Sequence, residues 1–216
     1  MEARVWKSES ASLSYLFWEP QDRRPGEKLP MIVFLHGAGE RGPTVHQMEC
    51  HALPRIFSKA NPYRCIVVCP WCPGEDYWSL HLQETAQFIR EMIVLYDADP
   101  DRVSLTGLSM GGYGTWELST TYPELFSAIA PVCGGGTNWR AYRLVKTSGY
   151  SVPVWAFHGL ADSVVPWQCD QIMVDAVNNH GGNARITLYP DIDHDSWTPA
   201  YEESAMISWL LAQKRA

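Results

Sequence analysis

A serine flanked by glycines is the first feature of the sequence that could perform chemistry. The stretch "TGLSMGGYGTW" contains Gly107-Leu-Ser109-Met-Gly111, a G-x-S-x-G pattern that directly follows an apolar run at 102–106. A serine on a sharp strand-to-helix turn has a strained backbone, and the residues two positions away on either side must lack a Cβ to avoid a collision. The pattern therefore predicts Ser109 as an exposed nucleophile at the start of a helix. A glycine-rich helix start with an N-cap serine is the alternative.

A second reactive cluster lies near the C-terminus, in "LYPDIDHDSW", where Asp191, Asp193 and Asp195 surround His194. Carboxylates around a histidine are compatible with a metal site or with a catalytic base. The segment lacks the glycine and the distal glutamate of a calcium-binding loop, which argues against metal. We therefore expect His194 to be a base and the three aspartates to form turns and local caps.

Short apolar runs alternate with helix-like segments and would position these side chains. Strands are expected at 31–35, 65–69, 102–106, 127–132, 153–157 and 184–189, with a hairpin of 3–8 and 11–18 at one edge. Helices are expected at 83–96, 166–182 and 200–214. The alternation predicts an α/β fold with a mostly parallel sheet of about eight strands, helices on both faces and no large lid. Residues 1–216 are expected to form one domain, with the functional loops beyond the carboxyl ends of the strands.

Four motifs in a fixed order carry a family resemblance: "FLHGAGERG", "GLSMGGYGTW", "FHGLADSVVP" and "DHDSW". Together they resemble the α/β-hydrolase superfamily, in particular its small esterases without a lid, in the phospholipase/carboxylesterase, feruloyl-esterase and prolyl-oligopeptidase-like groups. The resemblance extends from about Met31 to the C-terminus. It implies the α/β-hydrolase fold and a serine-dependent carboxylic ester hydrolase that works through an acyl-enzyme, without a metal or a cofactor.

The resemblance also suggests partners for the nucleophile. This fold places its base after the last strand, which selects His194 from the seven histidines of the chain. His36 and His158 each follow a strand-like run and are expected to shape loops. Asp162, in "HGLADSVVP", lies on the loop that carries the acid in this family. The expected catalytic triad is therefore Ser109, Asp162 and His194.

The negatively charged oxygen that develops during ester cleavage requires two N–H donors. The first is expected to be the backbone N–H of Met110, directly after the nucleophile. By resemblance, the second is that of Ala38 in "HGAGE", with Gly39 as the neighbouring alternative. Glu40 and Arg41 could touch substrate, but an ion pair within the loop is the expected role.

Composition excludes several function classes. The formal net charge is −7 and no basic cluster occurs, which argues against a nucleic-acid partner. The chain shows neither a signal peptide nor a long apolar run, so we expect no membrane partner and a cytoplasmic location. Cys69-Pro-Trp-Cys72 matches C-x-x-C but leads into Pro73-Gly74, which argues against a redox motif or a zinc site. Nothing in the sequence indicates the oligomeric state.

Aromatic side chains near the expected triad indicate the class of substrate. The chain contains ten tryptophans, and Trp78 and Trp197 follow strand ends close to the expected triad, so we predict that both bind substrate. Small-molecule esters with short-chain or aromatic acyl groups, of acetyl or feruloyl type, are expected, including those on plant cell-wall polysaccharides. An acyl-protein thioesterase or lysophospholipase is the alternative enzyme. A peptidase or a non-catalytic binding protein of the same fold is less favoured, because no gating domain is present and the reactive set is complete.

Overall fold

The computed structural model describes residues 1–7, 12–59, 63–146 and 149–215, and this part of the chain contains eight strands in one sheet. The strands are β1 (Glu2–Lys7), β2 (Ser12–Trp18), β3 (Met31–Leu35), β4 (Ile66–Pro70), β5 (Val103–Leu108), β6 (Ala128–Val132), β7 (Val154–Gly159) and β8 (Ala184–Tyr189). Their order across the sheet is β1-β2-β4-β3-β5-β6-β7-β8.

The sheet is parallel except at one edge. Strand β1 pairs antiparallel with β2, with Glu2 opposite Phe17, and β2 pairs antiparallel with β4. All other neighbouring strands run parallel. The edge hairpin and the mostly parallel sheet expected from the sequence are confirmed. Two ends of the expected hairpin strands, Ser8 and Ala11, lie outside the described residues.

Helices cover both faces of the sheet. Within the described ranges they are α1 (Ala52–Phe57), α2 (Leu82–Leu95), α3 (Met110–Thr121), α4 (Arg143–Lys146), α5 (Gln168–Asn179), α6 (Trp197–Glu202) and α7 (Met206–Ala212). Apolar side chains of α2, α3 and α5 share one core with one face of the strands. Those of α1, α6 and α7 share a second core with the opposite face. Parallel pairing and cover on both sides explain why the central strands β3, β4 and β6 are almost unbroken apolar runs.

Helix α2 shows how the pattern selects the buried side. Phe88, Ile89 and Met92 are buried in the core, whereas Val94 and Leu95 at its end are exposed. The apolar stripe of the helix expected at 83–96 is therefore the face that meets the sheet.

The expected helix at 200–214 is wrong, because the chain forms two shorter helices, α6 and α7. Ser204 lies at the break. Its hydroxyl donates to the carbonyl oxygen of Ala200 at 2.5 Å and accepts the backbone N–H of Met206 at 3.1 Å. A serine that bonds to the backbone in both directions competes with the helical ladder, which an apolar pattern alone does not reveal.

The parallel strands bring four loops to one end of the sheet. Strand β3 is followed by the short helical turn Ala38–Glu40, and β5 by Ser109. Strand β7 leads to Asp162 and β8 leads to His194. These four loops lie beyond carboxyl ends of strands, where sites of open α/β sheets form.

Candidate active site

The backbone at Ser109 is strained in the way the sequence predicts. Its φ of 53° and ψ of −115° lie outside the regions that a residue with a side chain prefers. A Cβ on Gly107 would lie 2.5 Å from the carbonyl oxygen of Gly111, and a Cβ on Gly111 would overlap the carbonyl oxygen of Leu35. Both positions need glycine, because the turn brings the backbones of β3, β5 and α3 into contact.

A continuous chain of hydrogen bonds joins the three residues expected to form the triad. The Oγ of Ser109 lies 2.9 Å from Nε2 of His194, and Nδ1 of His194 lies 2.8 Å from Oδ2 of Asp162. The Asp162 side chain is fully buried, while 19% of the His194 side chain is exposed. Because a carboxylate only accepts hydrogen bonds, Nδ1 of His194 carries the proton and Nε2 is free to accept from the serine hydroxyl.

The second oxygen of Asp162 fixes the carboxylate in place. Oδ1 accepts the backbone N–H groups of Val164 at 2.9 Å and Val165 at 2.8 Å. The tight turn after β7 thus supplies two donors to one oxygen, and the other oxygen faces the rings of His194 and, at 3.2 Å, His158.

The neighbouring aspartates have the local roles expected of them. Asp193 accepts the backbone N–H of Ser163 at 2.7 Å and that of His194 at 2.8 Å, and the bonds from Ser163 lower the pKa of its carboxyl. Asp195 accepts the backbone N–H and the hydroxyl of Thr198 and so caps the first turn of α6. Asp191 lies in the turn that follows β8.

Two backbone N–H groups are available beside the serine. Met110 is the first residue of α3 and Ala38 is the first residue of a helical turn, so neither N–H has an acceptor within its own helix. Both residues line the same cavity as Ser109. This is the arrangement expected of an oxyanion hole.

A buried glutamate fixes the backbone of the loop that carries Ala38. Glu40 accepts the backbone N–H of Gly37 at 2.6 Å, and burial raises the pKa of its carboxyl. Arg41 points the other way and lies 3.7 Å from Glu75. The loop ion pair expected for Glu40 and Arg41 is therefore made by Arg41 with Glu75, because Glu40 turns inward to hold the backbone.

A cavity of about 420 Å³ opens beside Ser109. Its walls are formed by Ala38, Tyr77, Trp78, Ser79, Ser109, Met110, Tyr113, Gly114 and Glu117. Trp78 contributes to the wall but is only 2% exposed, and its indole N–H donates to the carbonyl oxygen of His36. Trp197 meets the imidazole of His194 edge-on, with 5.4 Å between the ring centres, and is not among these wall residues.

Tyr113 and Glu117 line the cavity, and the sequence reasoning missed both. They follow Ser109 at intervals of four residues, the spacing that places side chains on one face of a helix. This spacing after a nucleophile at a helix start is the signal that could have found them. The hydroxyl of Thr137 donates to the Glu117 carboxyl at 2.7 Å, and Arg140 lies 3.7 Å from its other oxygen.

Among the residues that the structure describes, one group of side chains has the spacing of metal ligands. The ligand atoms of Glu40, Cys50 and His51 lie within 4.8 Å of one another, whereas the aspartates around His194 form no such group. The C-x-x-C cysteines are buried and free, and burial raises the pKa of the Cys72 thiol to about 11. A thiol with a raised pKa is a poor redox nucleophile. No helix in the described ranges has the length and apolar character needed to cross a membrane.

Comparison with known proteins gives the family. Residues 79–208, more than half of the chain, match the model of the dienelactone hydrolase family. The chain belongs to the dienelactone hydrolase family. This is a branch of the α/β-hydrolase superfamily, so the resemblance and the fold class expected from the sequence are confirmed.

Individual relatives include several esterases. A thermostable esterase of known structure superimposes with a TM-score of 0.86 at 32% identity, covering 99% of this chain and 63% of that one. Poly(3-hydroxyalkanoate) depolymerase C of Paucimonas lemoignei is 41% identical over 120 residues, 49% of this chain and 28% of the relative. Feruloyl esterase B of Neurospora crassa is 27% identical over 142 residues, 60% of this chain and 46% of the relative. The chain thus matches less than half the length of these two curated relatives. At the level of the domain, the enzyme class is confirmed as a carboxylic ester hydrolase.

Proposed function

We propose that this protein is a serine esterase that cleaves carboxylic esters of short or aromatic acyl groups through an acyl-enzyme. The observation that carries the proposal is the hydrogen-bond chain from Ser109 through His194 to the buried carboxylate of Asp162. Ser109, at one end of this series of hydrogen bonds, lines a cavity together with Ala38 and Met110.

In the first step, Oγ of Ser109 attacks the ester carbonyl carbon while Nε2 of His194 takes the hydroxyl proton. The negatively charged oxygen is stabilised by the N–H groups of Ala38 and Met110. The intermediate collapses, and His194 returns its proton to the departing alcohol.

In the second step, a water molecule gives its proton to His194 and attacks the acyl carbon. The second tetrahedral intermediate releases the carboxylic acid and restores the serine hydroxyl. In both steps the role of Asp162 is to keep the proton on Nδ1 of His194 and to stabilise the imidazolium.

The cavity supports an acyl group that is aromatic or short. Tyr77 and Tyr113 present aromatic surface on its walls, and Glu117 lies eight residues beyond Ser109, roughly 12 Å along α3. The carboxyl of Glu117 and the hydroxyl of Ser79 can accept a hydrogen bond from a phenol. A hydroxycinnamoyl group would thus have its carbonyl at Ser109, its ring between the tyrosines and its phenolic hydroxyl at the polar end.

The same features disfavour the alternative of a thioesterase or lysophospholipase. A long alkyl chain would place methylene groups against the charged carboxyl of Glu117 and displace water from it, which costs free energy. A second candidate substrate class is a polyester of short hydroxy acids, which is favoured by the 41% identity with the depolymerase over half of this chain. Such an acyl unit is short and fits the same cavity.

Substrate preference is tested by kcat/KM on methyl ferulate, 4-nitrophenyl acetate, 4-nitrophenyl octanoate and a soluble 3-hydroxybutyrate oligomer. We expect ferulate within about tenfold of acetate, despite its less reactive leaving group. An oligomer cleaved faster than ferulate would transfer the proposal to the polyester class. Octanoate as the best substrate would overturn the acyl preference.

The assignment of Ser109 as the nucleophile is tested by covalent labelling, which does not depend on knowing the substrate. A fluorophosphonate reacts when a serine oxygen displaces fluoride from phosphorus, so the wild type should be labelled at Ser109 and the Ser109→Ala variant should not. The variant should also lose at least about 10³ in kcat, with an unchanged circular dichroism spectrum. Unchanged turnover in a folded Ser109→Ala protein would exclude the mechanism.

A further inference from the structure

Two histidines are completely buried at the carboxyl ends of parallel strands, His36 after β3 and His158 within the end of β7. The partners of His36 require a neutral ring. Nδ1 faces the carbonyl oxygen of Gly37 at 2.7 Å, and Nε2 accepts the backbone N–H of Cys72 at 3.0 Å. One nitrogen must donate and the other must accept. In agreement, burial lowers the pKa of His36 to about 4.

The partners of His158 are different in kind, because both ring nitrogens face acceptors. Nδ1 lies 2.7 Å from Oδ2 of Asp170. Nε2 lies 2.9 Å from the carbonyl oxygen of Val165 and 3.2 Å from Oδ2 of Asp162. A carbonyl oxygen cannot donate a hydrogen bond, so Nε2 must carry a proton.

The environment of Asp170 shows that Nδ1 carries a proton as well. Asp170 lies in the first turn of α5 and its side chain is fully buried. Oδ1 accepts the indole N–H of Trp116 at 2.6 Å, and Oδ2 accepts the backbone N–H of Gly134 at 3.0 Å. Donors at both oxygens stabilise the ionised carboxylate over the neutral acid, and a carboxylate next to Nδ1 is matched by an N–H there.

We propose that His158 is a buried imidazolium cation that positions the carboxylate of Asp162 beneath the catalytic base. The part of this inference that concerns catalysis rests on the proposed esterase function. The protonation of His158 rests on its hydrogen-bond partners alone. His158 contacts Asp162 and not the reacting atoms, so it is a positioning residue.

The groups that face His158 come from several elements, and an imidazolium there offsets one of the two carboxylate charges. Helix α5 supplies Asp170, the loop after β7 supplies Asp162, and the loop after β8 supplies His194 beyond Asp162. Tyr113 and Cys133 also lie close to Asp162 and Asp170, whose charges add to burial in raising the pKa of both groups. Burial lowers the pKa of His158, but the hydrogen bond and charge of Asp170, with smaller contributions from Val165 and Asp162, outweigh burial and raise it.

A neutral His158 would leave two buried carboxylates close together without a counter-charge, which is a costly arrangement. A cation between them reduces this cost and holds Asp162 through Oδ2, the oxygen that also faces His194. The cation also opposes the positive charge that His194 acquires when it takes the serine proton. Its loss should therefore make His194 easier to protonate and narrow the pH range of activity from the acid side.

The protonation state is measured directly by nitrogen NMR of ¹⁵N-histidine-labelled protein at pH 8. We expect two protonated-type ring nitrogens for His158, and one protonated and one unprotonated nitrogen for the internal control, His36. The signals are assigned by their loss in His158→Gln or, if that variant does not fold, from single variants of the other histidines. An unprotonated ring nitrogen at His158 would overturn the proposal. No ester is needed, so the result is independent of the proposed function.

The positioning role is tested by the pH profile of kcat/KM for His158→Gln, with the exposed His180→Gln as the matched control. We expect kcat to fall about 10- to 100-fold and KM to change less than threefold. The acid limb of the profile, where kcat/KM declines because His194 is protonated, should move to higher pH by about one unit. His180→Gln should match the wild type. A fall in kcat with no movement of the acid limb would mean a merely structural role and refute the proposal.

A second variant covers the case in which His158→Gln does not fold. Asp170→Asn removes the anion that holds the proton on Nδ1, so one negative charge is lost together with the positive charge of His158. Because His158 lies nearer to Asp162 than Asp170 does, we expect the acid limb still to move up, but by less than in His158→Gln. An unmoved limb would contradict the proposal. If the wild type neither cleaves esters nor reacts with the fluorophosphonate, the proposed function fails, and the NMR result still decides the charge of His158.

Discussion

Replacing Asp162 by asparagine should trap His194 in the wrong tautomer, because the structure dictates how the new amide must sit. Oδ1 accepts two backbone N–H groups, from Val164 and Val165, so the amide oxygen must occupy that position. The NH₂ group then takes the position of Oδ2, which faces Nδ1 of His194 and, at 3.2 Å, Nε2 of His158, because two short backbone contacts outweigh this one longer contact. Nδ1 would have to accept, the proton would move to Nε2, and Nε2 could no longer take the proton of Ser109.

The size of the effect follows from these contacts. Flipping the amide to restore the productive tautomer would place NH₂ against two N–H donors, at a cost of about 2–3 kcal/mol for two lost hydrogen bonds. Loss of the carboxylate charge beside the imidazolium adds roughly 2 kcal/mol. A barrier higher by about 4–5 kcal/mol corresponds to a decrease in kcat of roughly 10³–10⁴.

The assay is steady-state hydrolysis of the best ester, with Asp193→Asn as the matched control. Asp193 also bonds near His194, but to its backbone N–H, and an amide oxygen can replace that acceptor. We expect Asp193→Asn to stay within about threefold of the wild type. A folded Asp162→Asn protein with more than a tenth of the wild-type kcat, or an equal loss in Asp193→Asn, would refute the reasoning.

Three further predictions concern the glycine turn, the cavity and a buried histidine. Gly111→Ala would drive a Cβ into the carbonyl oxygen of Leu35, so urea unfolding should show a loss above about 3 kcal/mol or no folded protein, whereas Gly39→Ala has open space and should stay within about 1 kcal/mol. Glu117→Leu should lower the ratio of kcat/KM for methyl ferulate to that for 4-nitrophenyl octanoate by about tenfold, and an unchanged ratio would remove Glu117 from the acyl site. His36, whose pKa is about 4 when folded, binds a proton near pH 6.5 when unfolded, so the free energy of unfolding should fall by roughly 3 kcal/mol as the pH drops from 6.5 to 4. His36→Asn should give a flatter profile over this range, and an equally steep one would contradict the cause assigned here.

The sequence predicts the framework of this molecule better than its finer contacts. Strand β3 begins and ends where the apolar run does, because a buried parallel strand carries apolar residues on both faces. The turn at Ser109 is predictable because its crowding permits only glycine on either side. The break between α6 and α7 is not predictable from the apolar pattern, because it depends on the two hydrogen bonds of Ser204. The cavity wall at Glu117 needs the loop after β4 as well as α3, and only the folded chain brings them together.

The two buried histidines show where local sequence stops being informative. Each stands between an apolar strand and a glycine, in "FLHG" and "AFHG", and this context places both rings at the same end of the sheet. A cation at His36 would direct an N–H at the N–H of Cys72. A neutral ring at His158 would leave one nitrogen lone pair against a carboxylate or a carbonyl oxygen. The charge at each position is therefore decided by a partner from elsewhere in the chain, a backbone donor in one case and an aspartate from the start of α5 in the other. Substitution of Asp170 should consequently change the charge at His158 without changing where the ring lies.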